Sequence, residues 1–194
     1  MAETFEASKN ILPGDPWTRA ELKDLASKIM SETAKIEAEK KAAKLKEYND
    51  KVQSLLKKTK EVSSRGYVYK YPEMVCDTFI KRIFKEIWDD SLKNVSQTYG
   101  MYGKYKNSLK GSIIPTANNT FSRTWKAPKA WDLLFFLNSK WVCPHVGILS
   151  SYTANGIAIY DASKKKVGYR TVSPIELRWN YWYTSISFAP PFIS

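Results

Sequence analysis

Cys76, His145 and Asp161 are the residues of this chain whose types and order suit nucleophilic catalysis. Cys76 stands at the start of Val75-Cys-Asp-Thr-Phe-Ile-Lys-Arg-Ile-Phe-Lys-Glu-Ile87, which has the spacing of an amphipathic helix. The unpaired N–H groups and dipole of a helix N-terminus favour a thiolate there. The same N–H groups can hold an oxyanion. His145 is the only histidine of the chain and opens the apolar segment His145-Val-Gly-Ile148, within ten residues of the run Asp132-Leu-Leu-Phe-Phe136. Taken singly, a lone histidine is more often structural than catalytic, and Cys76 reads as a small buried hydrophobe. Together they are the two halves of a thiol–imidazole site.

Asp161, in Ile159-Tyr-Asp-Ala162, is the candidate third member, and register decides whether it can serve. A two-residue Asn155-Gly156 turn would send it to the sheet face opposite His145. A loop of about five residues centred on Ala154 would put it across from Gly147, diagonal to His145 and on the same face. The longer loop is expected; an exposed hairpin carboxylate is the plainer alternative.

The elements that must position these groups can be read around them. The helix that begins near Cys76 should bury Phe79, Ile80, Ile83, Phe84, Ile87 and Trp88, with Lys81, Arg82, Lys85, Glu86, Asp89 and Asp90 on its other face. Tyr67, Tyr69 and Tyr71 alternate before Pro72, which suggests a short extended approach. Beyond Pro128 a buried strand, the histidine strand and two or three further antiparallel strands follow, with Ser163-Lys-Lys-Lys166 as an exposed tip. Residues 96 to 126 are the least legible. Their Gln97-Thr-Tyr-Gly-Met-Tyr-Gly-Lys-Tyr-Lys106 stretch suits a flexible lip over a groove, or a strip for stacking RNA bases; the lip is expected.

Upstream, residues 1–17 read as an irregular leader, punctuated by Pro13, Gly14 and Pro16. Residues 18–65 read as one long charged helix, opened by a Thr18/Glu21 capping box and closed at Gly66. The absence of proline and glycine from Arg19 to Ser63 allows a rod of about 65–70 Å. Its apolar stripe changes face at the alanine- and charge-rich join 37–44, so either the helix breaks near residue 40 or one rod presents different faces to two neighbours. A solvated amphipathic helix and a docking or coiled-coil arm both fit. The folded domain is expected to span 66–194.

Net charge is +12, which favours polyanions: nucleic acid, anionic membranes or cell-wall polymers. Only six of the 31 basic residues are arginine, so base and phosphate readout is disfavoured. Two cysteines, Cys76 and Cys143, make no disulfide scaffold. No run of 18 apolar residues is present, so no transmembrane segment is expected. The opening Met-Ala-Glu-Thr-Phe-Glu lacks an apolar core, and no secretory signal peptide is expected.

Four motifs in order resemble the NlpC-type cell-wall peptidases, a branch of the papain-like cysteine peptidases. Cys76-Asp-Thr-Phe-Ile80 is similar to the family's Cys-Ser-Gly-Phe-Val. Pro128-Lys-Ala-Trp-Asp-Leu-Leu-Phe-Phe136 is similar to Pro-Gly-Asp-Leu-Val-Phe-Phe, and His145-Val-Gly-Ile-Leu149 to His-Val-Gly-Ile-Tyr. Ile159-Tyr-Asp-Ala162 then fits the strand bearing the third polar residue, with Asp where His is common. Val172-Ser-Pro-Ile175, with Trp179 or Trp182, fits the family's terminal proline-containing strand. The resemblance covers roughly residues 66 to 190.

That resemblance implies an α+β, papain-like domain in which the nucleophile's helix packs on an antiparallel sheet. It implies Cys76, His145 and Asp161 as catalytic residues, with no metal or cofactor. Tyr69, Tyr71, Asp77, Thr78 and Trp131 are the expected substrate contacts. The implied activity is hydrolysis of amide bonds in peptidoglycan stem peptides, and a cationic surface suits an anionic wall polymer. Without a signal peptide, the expected setting is a phage enzyme, virion-associated or held in the host cytoplasm until lysis. The N-terminal helix would then dock to virion or tail proteins. The alternative is a virion structural protein that keeps the fold without activity.

Overall fold

An uninterrupted stretch of good helix formers runs from Arg19 to Ser64 and forms one helix, α1, in the computed structural model, which describes residues 19–193 apart from 141, 165 and 181. The expected leader and Thr18 of the capping box lie outside the described residues. α1 stops where Gly66 takes φ +70°, a left-handed conformation that costs glycine little. From Ala20 to Glu47 every residue is exposed, and the boundary between the chain's two compact units falls inside α1, between Glu47 and Tyr48. Beyond that point the helix is core: Leu55, Thr59 and Val62 are fully buried. The expectation that the folded domain begins at residue 66 is therefore corrected. The apolar stripe of residues 52–62, once past the charged join, belongs to the domain's own interior.

The second unit is α+β. Helix α2 (Cys76–Glu86) is followed by helix α3 (Gln97–Tyr105), and a seven-stranded antiparallel sheet completes the chain. Its strands are β1 (Gly111–Pro115), β2 (Phe121–Arg123), β3 (Leu133–Asn138), β4 (His145–Thr153), β5 (Gly156–Ala162), β6 (Val167–Val172) and β7 (Tyr183–Ala189), in the order β2-β1-β7-β3-β4-β5-β6. The last strand thus lies between β1 and β3. The sheet is curled. The Phe121 N–H at one edge donates to the Ala154 carbonyl in the turn joining β4 to β5, at 2.6 Å.

Both faces of the sheet are covered, which explains the unbroken apolar run of β3. Leu133, Phe135 and Leu137 point into a core shared with α2, α3 and the end of α1. Leu134 and Phe136 point into a second core with Ile113, Leu149, Ile157, Ile159 and Ile186. α2 contributes Phe79, Ile80, Ile83 and Phe84 to the first core, each fully buried. Burial of each such side chain favours folding by about 1.5–3 kcal/mol.

Three expectations about these elements change. Trp88 does not join the helix's buried face: α2 ends at Glu86, Trp88 adopts φ +60°, and its side chain is 95% exposed. The Asp89 N–H reaches back to the Phe84 carbonyl at 3.0 Å, a helix-terminating bond that turns Trp88 outward. The expected lip is helix α3, anchored by fully buried Met101 and Tyr105; the Tyr105 hydroxyl donates to the Pro191 carbonyl at 2.6 Å. Glycines at 100 and 103 do not break a helix held by two such anchors. Finally, Pro174 begins a helix, α4 (Pro174–Asn180), in place of a proline-containing strand, using the first-turn position where a missing N–H costs nothing.

Candidate active site

Cys76 is the first residue of α2, and that helix start is fixed by Thr78. The Thr78 hydroxyl accepts from the Val75 N–H at 2.8 Å and donates to the Val75 carbonyl at 2.9 Å. Asp77 forms an ion pair with Lys81 one turn on, at 3.1 Å. Thr78 is thus a structural cap, its hydroxyl engaged by backbone. Cys76 itself is 8% exposed.

His145 is the first residue of β4, and Asp161 lies near the end of β5. His145 Nε2 is 2.6 Å from Asp161 Oδ2. The register is the expected one, with Asp161 across from Gly147, but the connection that produces it is not the expected five-residue loop. The β4–β5 turn has two residues, Ala154 and Asn155, since Thr153 pairs with Gly156. An unbroken ladder from that turn would set Asp161 opposite Ile148, on the wrong face. A bulge between Leu149 and Ser151 absorbs Ser150, so that Leu149 pairs with Ile159 and Ile148 with Tyr160. Asp161 then falls beside Gly147, on the face of His145. A Cβ built on Gly147 would lie 3.2 Å from the Tyr160 carbonyl oxygen and 3.4 Å from the Asp161 Cβ, so glycine permits this approach.

The imidazole is held on its flanks as well. Phe136 meets it edge-on with ring centres 5.1 Å apart, and Tyr183 stacks nearly parallel at 6.3 Å. With Nε2 committed to Asp161, Nδ1 is the ring nitrogen left for proton exchange with a thiol. Burial works to lower the proton affinity of His145. The Asp161 hydrogen bond and then Cys76 outweigh it, and the pKa is pushed up to about 9. α2, which Cys76 opens, packs against β4, which His145 opens. Of the three candidate residues read from the sequence, His145 and Asp161 are in direct contact.

Asp161 is fully buried, and its charge has a second partner that the sequence reading missed. Arg170, on β6, donates from Nε to Oδ1 at 2.9 Å and from Nη2 to Oδ2 at 2.6 Å. Burial favours the protonated acid, but His145 and Arg170 hold the Asp161 carboxyl below the usual carboxylate range. Removing one partner of such a buried pair typically costs about 3–5 kcal/mol. The pairing of β5 with β6 sets Asp161 opposite Gly168 and so Arg170 two residues along on the same face, a relationship that no local pattern marks.

Comparison of the chain with protein-family models, with curated proteins and with solved structures finds no match.

The other expected contacts are placed as follows. Tyr69 is half-buried against the first core, whereas Tyr71 is 78% exposed. Trp131 takes φ +76°, donates its backbone N–H to the Leu149 carbonyl at 2.6 Å and stacks its ring on Tyr160. Leu149 is four residues from His145, roughly 13 Å along β4. Asp132, the acid of the apolar motif, is a brace: its carboxylate takes the Lys110 ammonium at 2.8 Å and the Lys129 N–H at 2.8 Å. Cys143 is buried, its thiol donates to the His145 carbonyl at 3.3 Å, and burial is the main cause pushing its pKa up to about 12. No helix among the described residues is long and apolar enough to cross a membrane.

Proposed function

We propose that the chain is a cysteine peptidase or amidase of the papain-like, NlpC-type kind, acting on amide bonds of peptidoglycan stem peptides. The observation that carries this reading is that Nε2 of His145 bonds Asp161 while the helix opened by Cys76 packs against the strand opened by His145. A buried thiol beside a histidine that is itself oriented by a buried carboxylate is the arrangement nucleophilic acyl transfer requires.

In this reading the Cys76 sulfur attacks the amide carbonyl carbon, and the carbonyl electrons move onto oxygen. N–H groups of the first turn of α2 face that charge. His145 holds the thiol proton and gives it to the leaving amine as the carbon–nitrogen bond breaks, leaving a thioester. His145 then draws a proton from water, the water oxygen attacks the thioester, and the carboxylic acid leaves as the thiol is restored. Asp161 fixes the ring and stabilises its cation throughout without taking the proton.

The substrate class rests on the resemblance of the four motifs and on the net charge of +12, which draws an anionic wall polymer. A phage setting, with the exposed segment of α1 before Tyr48 as a dock for a virion or tail protein, belongs to the same proposal. Digestion of purified peptidoglycan, with the fragment masses determined, tests the reading: new fragments ending at a stem-peptide carboxylate support it, and intact walls refute it.

A further inference from the structure

We propose that Arg170 is a positioning residue for the catalytic histidine, acting through Asp161; the inference rests on the reading of Cys76, His145 and Asp161 as the working site. Asp161 has two oxygens and a single bond to the torsion that turns them. Buried with only His145 as partner, the carboxylate could rotate and offer either oxygen, or neither, to Nε2. The guanidinium removes that freedom. It takes Oδ1 through Nε at 2.9 Å and Oδ2 through Nη2 at 2.6 Å, a two-point grip that fixes the carboxylate plane. Oδ2 is then left facing Nε2 of His145 at 2.6 Å.

Arg170 is in turn held. Its side chain is 10% exposed, and Nη1 lies 3.7 Å from Glu176 Oε1 in the first turn of α4. The line of charge thus runs Glu176, Arg170, Asp161, His145, across one helix and three adjacent strands. A lysine would supply the charge but not the fork, so charge alone and orientation can be separated.

The single histidine gives the test a clean reporter, since imidazole N–H signals in a proton NMR spectrum come from one ring, and the indole N–H signals of the seven tryptophans lie up-field of a carboxylate-bonded imidazole. In the wild-type chain the Nε2–H proton, bonded to a carboxylate at so short a distance, should resonate far down-field. In Arg170→Lys that signal should move up-field or broaden away. Turnover should fall by about 10- to 100-fold, the scale of a small misplacement of a catalytic group, with KM unchanged. Should Arg170→Lys not fold, Glu176→Gln decides. It loosens the outer end of the guanidinium without breaking the buried pair, and it should move the signal in the same direction by less. An unmoved Nε2–H signal in the folded variant overturns the assignment. A wild-type protein without hydrolytic activity would sink the peptidase reading, and the NMR signal would still decide whether Arg170 orients Asp161.

Discussion

Nε2 of His145 and Oδ2 of Asp161 meet at 2.6 Å with both side chains withdrawn from water, His145 at 7% exposure and Asp161 at 0%. Burial alone would strip the imidazole of its proton, yet the Asp161 carboxylate and then Cys76 reverse that tendency and push the His145 pKa up to about 9, which favours the imidazolium at neutral pH.

The first consequence concerns pH. The His145 pKa is raised from 6.5 to about 9, so its contribution to stability is complete below about 6.5 and is lost as pH rises through 9. Asp161 is shifted downward, so its contribution is present above the ordinary carboxylate range and is lost on acidification below it. Thermal melts should therefore show a decline between pH 6.5 and 9 that is absent from Asp161→Asn. The high-pH limb of kcat/KM should lie near 9, where the ring loses the proton it gives to the leaving amine. A limb near 6.5 would contradict the pairing.

The second concerns Asp161 itself. Asp161→Asn keeps the shape but loses the charge. Turnover should fall by about two to four orders of magnitude with KM little changed, and the double variant with His145→Ala should be hardly worse than His145→Ala alone. Steady-state kinetics on a wall fragment would check this, and wild-type turnover in Asp161→Asn would reject the role. Asp161 also neutralises buried Arg170, so this variant should melt at a lower temperature than the wild type, a loss that a hairpin carboxylate at the rim would not produce.

The third concerns the thiols. Burial pushes the Cys143 thiol up to about 12, whereas Cys76 opens the helix that packs against the His145 strand. Iodoacetamide at neutral pH should modify Cys76 well before Cys143, as peptide mapping would reveal. Prior labelling of Cys143 would contradict the assignment of the nucleophile.

The fourth concerns α1. Removing residues 1–47 should leave a cooperatively folding domain by circular dichroism. Removing 1–63 should not, because it deletes the fully buried Leu55, Thr59 and Val62. Loss of one buried leucine side chain typically costs about 2–5 kcal/mol, a large share of a domain's ~5–15 kcal/mol. A stable 64–194 fragment would show that the end of α1 is dispensable.

What the sequence revealed, and what it hid, follows from range. Cys76 at a helix start, the two-sided burial of β3 and the strand opened by His145 are local patterns, and local patterns were legible. The position of Asp161 was reached by the wrong route. A five-residue loop and a two-residue turn with a bulge at Ser150 give the same pairing with Gly147, and nothing local to Ser150 marks the bulge. Arg170 escaped notice because its role exists only once β5 and β6 are paired. The α3 segment has the look of a lip in the sequence because Gly100 and Gly103 are poor helix formers, while burial of Met101 and Tyr105 overrides propensity. The same tertiary override moved the domain boundary into α1.

The central claim is that Cys76 cuts amide bonds with His145 and Asp161 as one unit. Each cut in peptidoglycan frees one amine, so amine release from purified walls measures it directly. The wild-type chain should release amines steadily, and Cys76→Ala, matched to it by circular dichroism, should release none above the background without protein. Equal release by both proteins, or no release by the wild type, would contradict the account.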